Sequence, residues 1–304
     1  MKKLVFLTSL LVVLFSFLVL NITSGHGPKE LISPFLKQEK MLGINQWFPR
    51  QVLIPQTNAP QITAKGALFI DSKTGQIFYA KNAREKLPIA SLVKVMTALI
   101  ALENKNMDDQ YLISQRAADM EPDKMLLIAG EKLSLKELLY GIFLVSANDA
   151  SEVIAEGTTG SREEFIKLMN IGARQLGMKD TYFANPTGLD EDDNNSYSTA
   201  YDLAILTRYL IRNYPEVVEI TKTPHIFIPP TQTHQDYDMY SGINLITTYP
   251  GVVGFKTGFT PESGLTLITL ARKGNHEIIG VLLGSENRRD EARQVLDYSF
   301  SKLQ

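Results

Sequence analysis

The sequence predicts an α+β domain: an antiparallel sheet built from both ends of the domain, flanked by helices, with a helical insert between. Three observations lead there. Two short apolar runs, Ala67–Ile70 and Ile77–Ala80, straddle the turn-forming residues Asp71 to Gln76. Two longer runs, Leu265–Ala271 and Ile278–Leu283, flank Lys273-Gly274-Asn275 near the other end and are apolar almost throughout, as central strands are. Between these pairs lie helical periods and helix caps. Strands, then many helices, then strands and a closing helix suit one sheet made from both ends.

The elements follow in order. Gly25 to Thr63 carries Pro28, Pro34, Pro49, Pro55 and Pro60 and shows no sustained period, so it reads as a linker with one short helix around Glu30 to Lys40. The folded domain is expected over 62–304. After the first hairpin, Pro88-Ile89-Ala90-Ser91-Leu92-Val93-Lys94-Val95-Met96 opens a helix that runs to about Glu103. Val93, Val95, Met96, Leu99, Ile100 and Leu102 make it apolar on several faces, which places it inside the domain. Gly130 to Ser134 reads as a loop. Ser134 and Glu137 form a capping box for a helix that ends around Val145 to Asn148. A helix over Ala150 to Glu156 is expected to stop at Gly157. Ser161 and Glu164 suggest a second capping box, opening a helix that ends at Gly177. Ser198 begins a helix over Ala200 to Arg212. Val252 to Thr257 is a strand, and Asp290 to Leu303 an amphipathic helix that turns Ala292, Val295, Leu296 and Phe300 to one side.

Composition removes several classes of chemistry. The formal charge is −2 over 304 residues, which argues against nucleic acid as the main partner. The absence of cysteine excludes disulfides, thiol catalysis and Cys–zinc sites. The four histidines, His26, His225, His234 and His276, lack metal-ligand spacing, so no metal site is expected. No G-x-S-x-G elbow accompanies any serine.

The N-terminus, 1–24, reads as a membrane anchor or a signal peptide. Lys2 and Lys3 precede an uncharged run from Leu4 to Leu20. At 1.5 Å per residue that run spans roughly 26 Å, close to a ~30 Å hydrocarbon core. It exceeds a usual signal core, yet Thr23-Ser24-Gly25 is small enough to be cut. The lysines hold their end in the cytoplasm, so either reading exports the remainder to the cell envelope.

Ser91 falls at the start of its helix, where backbone N–H groups lack partners and negative charge is favoured. Lys94 lies one turn on, on the same side. A hydroxyl, an amine within reach and free N–H groups are the parts of an activated nucleophile. S-x-x-K is common, however, and Ser299 to Lys302 repeats it. What singles out Ser91 is order: Ser91-x-x-Lys94, then Ser146-x-Asn148, then Lys256-Thr257-Gly258. Lys73-Thr74-Gly75 is a second K-T-G, but it sits in a hairpin turn before the serine. Ser285-Glu286-Asn287 is a second S-x-N with no K-T-G after it.

With its flanks the trio resembles the serine D-alanyl-D-alanine carboxypeptidases, the low-molecular-mass penicillin-binding proteins. The likeness covers roughly Ile62 to Leu303. It takes in Gly75-Gln76, Pro88-Ile89-Ala90-Ser91, Asn185-Pro186-x-Gly188-Leu189, Tyr197-Ser198-Thr199-Ala200-x-Asp202-Leu203-Ala204 and Gly254-x-Lys256-Thr257-Gly258-x-Thr260. Phe259 departs from it, standing where the family often has His or Tyr. The second, β-rich domain common in the family is also missing from a sequence that ends at Gln304.

The resemblance implies a DD-peptidase-like fold and a peptidoglycan stem peptide ending in D-Ala-D-Ala as substrate, with β-lactams as inhibitors and no cofactor. Ser91 would be the nucleophile and Lys94 the general base, which must act neutral. Reaching ~7 from a reference pKa of ~10.4 costs about 4–5 kcal/mol, to be supplied by burial and the Lys256 charge. Ser146 would relay the proton to the leaving amine, and Asn148 would orient Lys94 and the substrate amide. Lys256 and Thr257 would bind the terminal carboxylate, and Gly258 would let substrate backbone pass. The oxyanion donors would be the N–H groups of Ser91 and Phe259. Three alternatives stand beside this reading: a DD-endopeptidase, a non-catalytic peptidoglycan-binding protein, and a class A-like β-lactamase. The lactamase would need a Glu and an Asn four apart, a spacing that Glu191 and Asn195 have, although in an acidic stretch that reads as an exposed loop.

Overall fold

The computed structural model describes Pro49, residues 56–191 and residues 195–303. Leu4 to Leu20, the helix expected around Glu30 to Lys40 and most of the linker lie outside the described residues. Among the described residues no helix is long and apolar enough to cross a membrane.

The first hairpin is β1 (Gly66–Asp71) and β2 (Ile77–Lys81). After β3 (Leu87–Pro88) and a 3-10 turn (Ala90–Val93) comes α1 (Lys94–Asn104). The insert continues through β4 (Gln110–Leu112), α2 (Gln115–Ala118), β5 (Lys132–Ser134), α3 (Leu135–Leu144), α4 (Asn148–Thr159) and α5 (Arg162–Gln175). Then follow β6 (Tyr197–Ser198), α6 (Ala200–Asn213), α7 (Glu216–Thr221), β7 (His225–Ile228), β8 (Tyr237–Tyr240) and α8 (Leu245–Thr248). The chain returns to the sheet with β9 (Val252–Thr260), β10 (Gly264–Lys273) and β11 (His276–Ser285), and closes with α9 (Arg288–Ser301).

The main sheet has the order β2-β1-β11-β10-β9 and is antiparallel throughout. The sheet does join both ends of the domain: β1 pairs with β11, Gly66 opposite Leu283 and Asp71 opposite Ile278. β10 and β11 are interior strands, as their continuous apolar character requires. One face, with Ala67, Phe69, Leu267 and Leu282, packs against Ala292, Val295, Leu296 and Phe300 of α9. On the other side α6 lies against β1 and β11. β9 is an edge strand, and the 3-10 turn carrying Ser91 packs on β9 and β10.

Every residue of α1 from Lys94 to Leu102 is buried, with α3, α4, α5 and α6 around it. Full burial of a Val, Leu or Met side chain contributes about 1.5–3 kcal/mol, so packing on all sides fixes where α1 begins.

Several expectations need correction. Lys132–Ser134, read as part of a loop, is a strand paired with Gln110–Leu112, and β7 and β8 form a hairpin that sequence periodicity had not signalled. The helix placed at Ala150–Glu156 begins at Asn148 and runs through Gly157 to Thr159. Gly157 does not stop it: a Cβ there would lie 2.3 Å from the ring of Tyr111, so the glycine makes room for that ring. The stop is Gly160, at φ +79°. Ser134 and Glu137 form the full capping box. The second box is half formed: Ser161 Oγ accepts from Glu164 N–H, while the Glu164 carboxylate pairs with Lys167. Thr199, not Ser198, caps α6, because the Ser198 hydroxyl is bonded to Thr181.

Candidate active site

Three segments far apart in sequence converge beside edge strand β9. The first is the entry to α1. Ala90 has a φ of +47°, a left-handed conformation that costs a non-glycine residue energy and persists only where the surroundings hold it. Thr266 Oγ1 on β10 donates to the carbonyl of the preceding Ile89 at 3.3 Å, tying the turn to the sheet. The result sets Ser91 at the start of the helix and Lys94 in its wall.

Lys94 is wholly buried, and its Nζ makes three hydrogen bonds: to Ser91 Oγ at 2.9 Å, Asn148 Oδ1 at 2.8 Å and the Thr187 carbonyl at 2.6 Å. Asn148 brings in the second segment, the α3–α4 junction. Its Nδ2 donates to Pro122 O and its backbone N–H to Asp123 O at 2.7 Å, so a loop of the insert locks its orientation. Ser146, two residues earlier, is held at φ +61°. Thr187 belongs to the Asn185-Pro186-Thr187-Gly188 loop. Asn185 Oδ1 folds that loop by accepting from Thr187 N–H, Thr187 Oγ1 and Gly188 N–H.

The third segment is β9. Lys256 is also wholly buried, and its Nζ donates to Ser146 Oγ at 3.0 Å and to Thr257 O at 2.6 Å. Gly258 is where the strand passes the serine: a Cβ there would lie 2.9 Å from Ser91 N and 2.6 Å from Thr266 Oγ1. The room that this glycine leaves therefore faces the backbone of Ser91. Phe259 points outward, 61% exposed.

All eight expected residues thus fall in this one region. Three contributors were not anticipated. The Thr187 carbonyl is a backbone group with no side-chain signature. The Pro122–Asp123 loop carries no motif. Arg288, in the first turn of α9, donates to Gly258 O at 2.6 Å and to Thr266 O at 3.3 Å, clamping β9 from behind the K-T-G.

Burial dominates the electrostatics. It pushes Lys94 down to about 7, against the pull of the Asp123, Asp149 and Glu152 carboxylates, which favour the ammonium. Lys256 is lowered well below its ordinary value, first by burial, then by the charges of Lys94 and Arg288. Burial, one of the two expected causes, leads at both lysines, and the repulsion between the Lys94 and Lys256 charges is mutual. Among the described residues no group of His, Asp and Glu is placed to hold a metal ion.

Glu191 and Asn195 are engaged otherwise. Glu191 pairs with Arg162 at 2.6 Å with its side chain 43% exposed, and Asn195 Oδ1 accepts from Glu191 N–H at 2.8 Å.

A serine hydrogen-bonded to a wholly buried lysine, set between an antiparallel sheet and a helical insert, has the parts that an activated nucleophile requires. The chain belongs to the D-alanyl-D-alanine carboxypeptidase family, which it matches over residues 54–287. It is 39% identical to the D-alanyl-D-alanine carboxypeptidase DacF of Bacillus subtilis over 79% of this chain and 63% of that protein. With DacC of Escherichia coli the identity is 32%, over 80% of this chain and 62% of that one. The chain therefore spans somewhat less than two thirds of the length of these relatives. The crystal structure of a D-alanyl-D-alanine carboxypeptidase from Mycobacterium tuberculosis superimposes with a TM-score of 0.74 at 27% identity, covering 80% of this chain and 92% of that one.

Proposed function

We propose that the chain is a serine D-Ala-D-Ala carboxypeptidase that trims peptidoglycan stem peptides through an acyl-enzyme and is blocked by penicillin. The observation that carries this reading is the set of partners around Lys94 Nζ. The Asn148 and Thr187 oxygens can only accept. A neutral amine has two N–H bonds to give them, which leaves its lone pair facing the Ser91 hydroxyl. A pKa of about 7 keeps that neutral form populated at working pH.

In the reaction, Ser91 Oγ attacks the carbonyl carbon of the penultimate D-alanine as its proton passes to Lys94. The C–N bond breaks, the proton returns by way of Ser146 to the leaving amine, and D-alanine departs. Water then cleaves the ester and restores the serine. Lys256 and Thr257 hold the terminal carboxylate, whose arrival gives the buried Lys256 ammonium the anion it lacks. The Ser91 and Phe259 N–H groups receive the oxyanion, a role supported by the closeness of β9 to Ser91 N.

The test is incubation with a diacyl-D-Ala-D-Ala peptide. Free D-alanine should appear, and penicillin should stop its release with one covalent adduct by intact mass. A folded protein that does neither is a binding protein instead.

The same reading has residues 1–24 attach the chain to the membrane, 25–61 bridge to the domain and 62–304 work outside the cytoplasm. The full chain should stay in the membrane fraction and begin at or near Met1; a soluble form that begins near His26 would mark a cleaved signal.

A further inference from the structure

A groove lies beside the segment that supplies Thr187, with Thr181 and Tyr182 in its lining. It has a volume of about 740 Å³ and runs between α5 and the Tyr182–Tyr197 bridge. Lys167, Arg174 and Lys179 line it, and none of its lining residues is a carboxylate. Lys167 and Arg174 are seven residues apart on one helix, hence on one face and about 10 Å apart along it. The nearest acids are largely engaged: Glu164 pairs with Lys167, Asp180 pairs with Lys86 at 3.3 Å, and buried Asp202 accepts from Asp180 N–H and Thr181 Oγ1. Arg174 and Lys179 are exposed. At one wall the Tyr182 and Tyr197 rings stand side by side, 6.0 Å apart and tilted by 33°, with Lys86 Nζ 5.5 Å above Tyr197. Flat aromatic faces with hydroxyl handles suit the C–H faces of sugar rings, and the surrounding cations suit an anion.

The groove connects to the reaction through the backbone. Tyr197 pairs with Pro88, three residues before Ser91, a chain distance of at most about 10 Å. A peptide of four residues reaches about 13 Å when extended. Counting about 5 Å across the strand pair, Tyr197 lies within about 15 Å of Ser91, the same scale as one extended stem peptide.

We propose that this groove binds the anionic glycan–peptide strand from which the stem peptide hangs, so that the enzyme holds its polymer at one place and cuts the side chain at another. The proposal rests on the hydrolase reading above for the identity of the polymer. Its test uses the double variant Arg174→Glu with Lys179→Glu. Both side chains are exposed and neither belongs to the Ser91 site, so the fold and the basal reaction are not at stake.

Two measurements separate the outcomes. The first is co-sedimentation of the full-length protein with insoluble peptidoglycan stripped of teichoic acid, at low and high salt. Binding should weaken about tenfold in the variant, and in the wild type with salt. The second is D-alanine release from soluble peptidoglycan strands and from a diacyl-D-Ala-D-Ala peptide. For the strands kcat/KM should fall about tenfold through KM with kcat kept, and the short peptide should be processed as before. Equal sedimentation of both proteins, or an equal fall on both substrates, overturns the proposal. So does binding that requires teichoic acid on the wall, which would make the ligand a phosphodiester polymer. If the wild type releases no D-alanine even from the short peptide, the hydrolase reading fails; sedimentation then decides the groove alone, supporting it if charge reversal abolishes binding.

Discussion

Lys-Thr-Gly occurs twice in this chain, and the fold gives the two copies opposite surroundings. Lys73 lies exposed in the turn between β1 and β2, where its Nζ reaches Asn275 O at 2.8 Å and Asp71 Oδ1 gathers the N–H groups of Lys73 and Thr74. Lys256 is wholly buried on an edge strand against Ser146. The other duplicates divide the same way. Ser285 spends its hydroxyl on Glu291 at 2.6 Å, and Asn287 caps α9. Ser299 donates back to Val295 O within its own helix, while Lys302 Nζ sits 4.8 Å over Tyr298. A motif of three or four residues fixes only what its side chains reach locally. The proposed chemistry needs three such motifs to meet, with both lysines buried and neither given a carboxylate among its hydrogen-bond partners.

Substitution at matched positions tests this comparison most severely. Ser91→Ala should abolish penicillin labelling, and Lys94→Ala should slow acylation by roughly 100- to 10,000-fold, the range for losing a general base. Lys73→Ala and Lys302→Ala should leave both unchanged. Intact mass and stopped-time labelling read all four; an adduct on folded Ser91→Ala would end the assignment.

Protonation provides the next test. The Lys94 pKa of about 7 in the fold compares with an ordinary 10.5. The unfolded chain therefore binds more protons between those values, and stability rises with pH across that window. The difference amounts to about 5 kcal/mol, and the lowered Lys256 adds a rise of the same sign. Denaturant unfolding from pH 7 to 10 should show this increase, Lys94→Met should remove its share, and Lys73→Met should leave the slope alone. Acylation, which needs neutral Lys94, should climb with pH and level off above about 7. Asp123→Asn removes a charge that favours the ammonium, so it should move that limb to lower pH.

The third glycines of the two motifs should fail in different ways. A Cβ at Gly258 meets Ser91 N at 2.9 Å and Ala90 Cβ at 3.1 Å, so Gly258→Ala should disturb the nucleophile and its oxyanion donor and cost about 100-fold in acylation. Gly75 instead needs its φ of +73°, so Gly75→Ala should cost about 1 kcal/mol of stability with acylation intact. Loss of activity at Gly75, or none at Gly258, would mean that the two copies do not differ as their surroundings imply.

What the sequence made legible follows the same division. The sheet was readable because the middles of β1, β10 and β11 are buried on both faces and therefore apolar almost throughout. The capping box at Ser134 was readable because both of its partners lie within four residues. Motif order singled out three segments that the fold brings together around Lys94 and Lys256. By contrast, β4, β5, β7 and β8 are short and half exposed, and too brief to show a period. Gly157 resembled a helix stop because the Tyr111 ring that explains it lies 46 residues earlier in sequence. The Thr187 carbonyl and the Pro122 and Asp123 carbonyls contribute backbone atoms, which residue identity does not encode. Arg288 belongs to no motif, and its tie to the Gly258 carbonyl exists only in the folded chain.

The smallest expected effect belongs to a further look-alike. Glu191 and Asn195 have the spacing of a deacylating pair, yet here the asparagine oxygen accepts the Glu191 backbone N–H, and the carboxylate pairs with Arg162, which also holds buried Glu152 at 3.1 Å. The pair closes a surface turn and turns its carboxylate to Arg162. An exposed ion pair contributes about 0–1 kcal/mol, so Glu191→Gln should barely change stability. D-alanine release should stay within about 1 kcal/mol of barrier, less than tenfold in rate. Penicillin turnover should be slow in both forms, because Glu191 is held by Arg162 rather than set to drive water onto the acyl-enzyme. Should the wild type clear penicillin rapidly and Glu191→Gln trap the adduct, spacing alone would have outweighed surroundings, and the carboxypeptidase reading would give way to a lactamase.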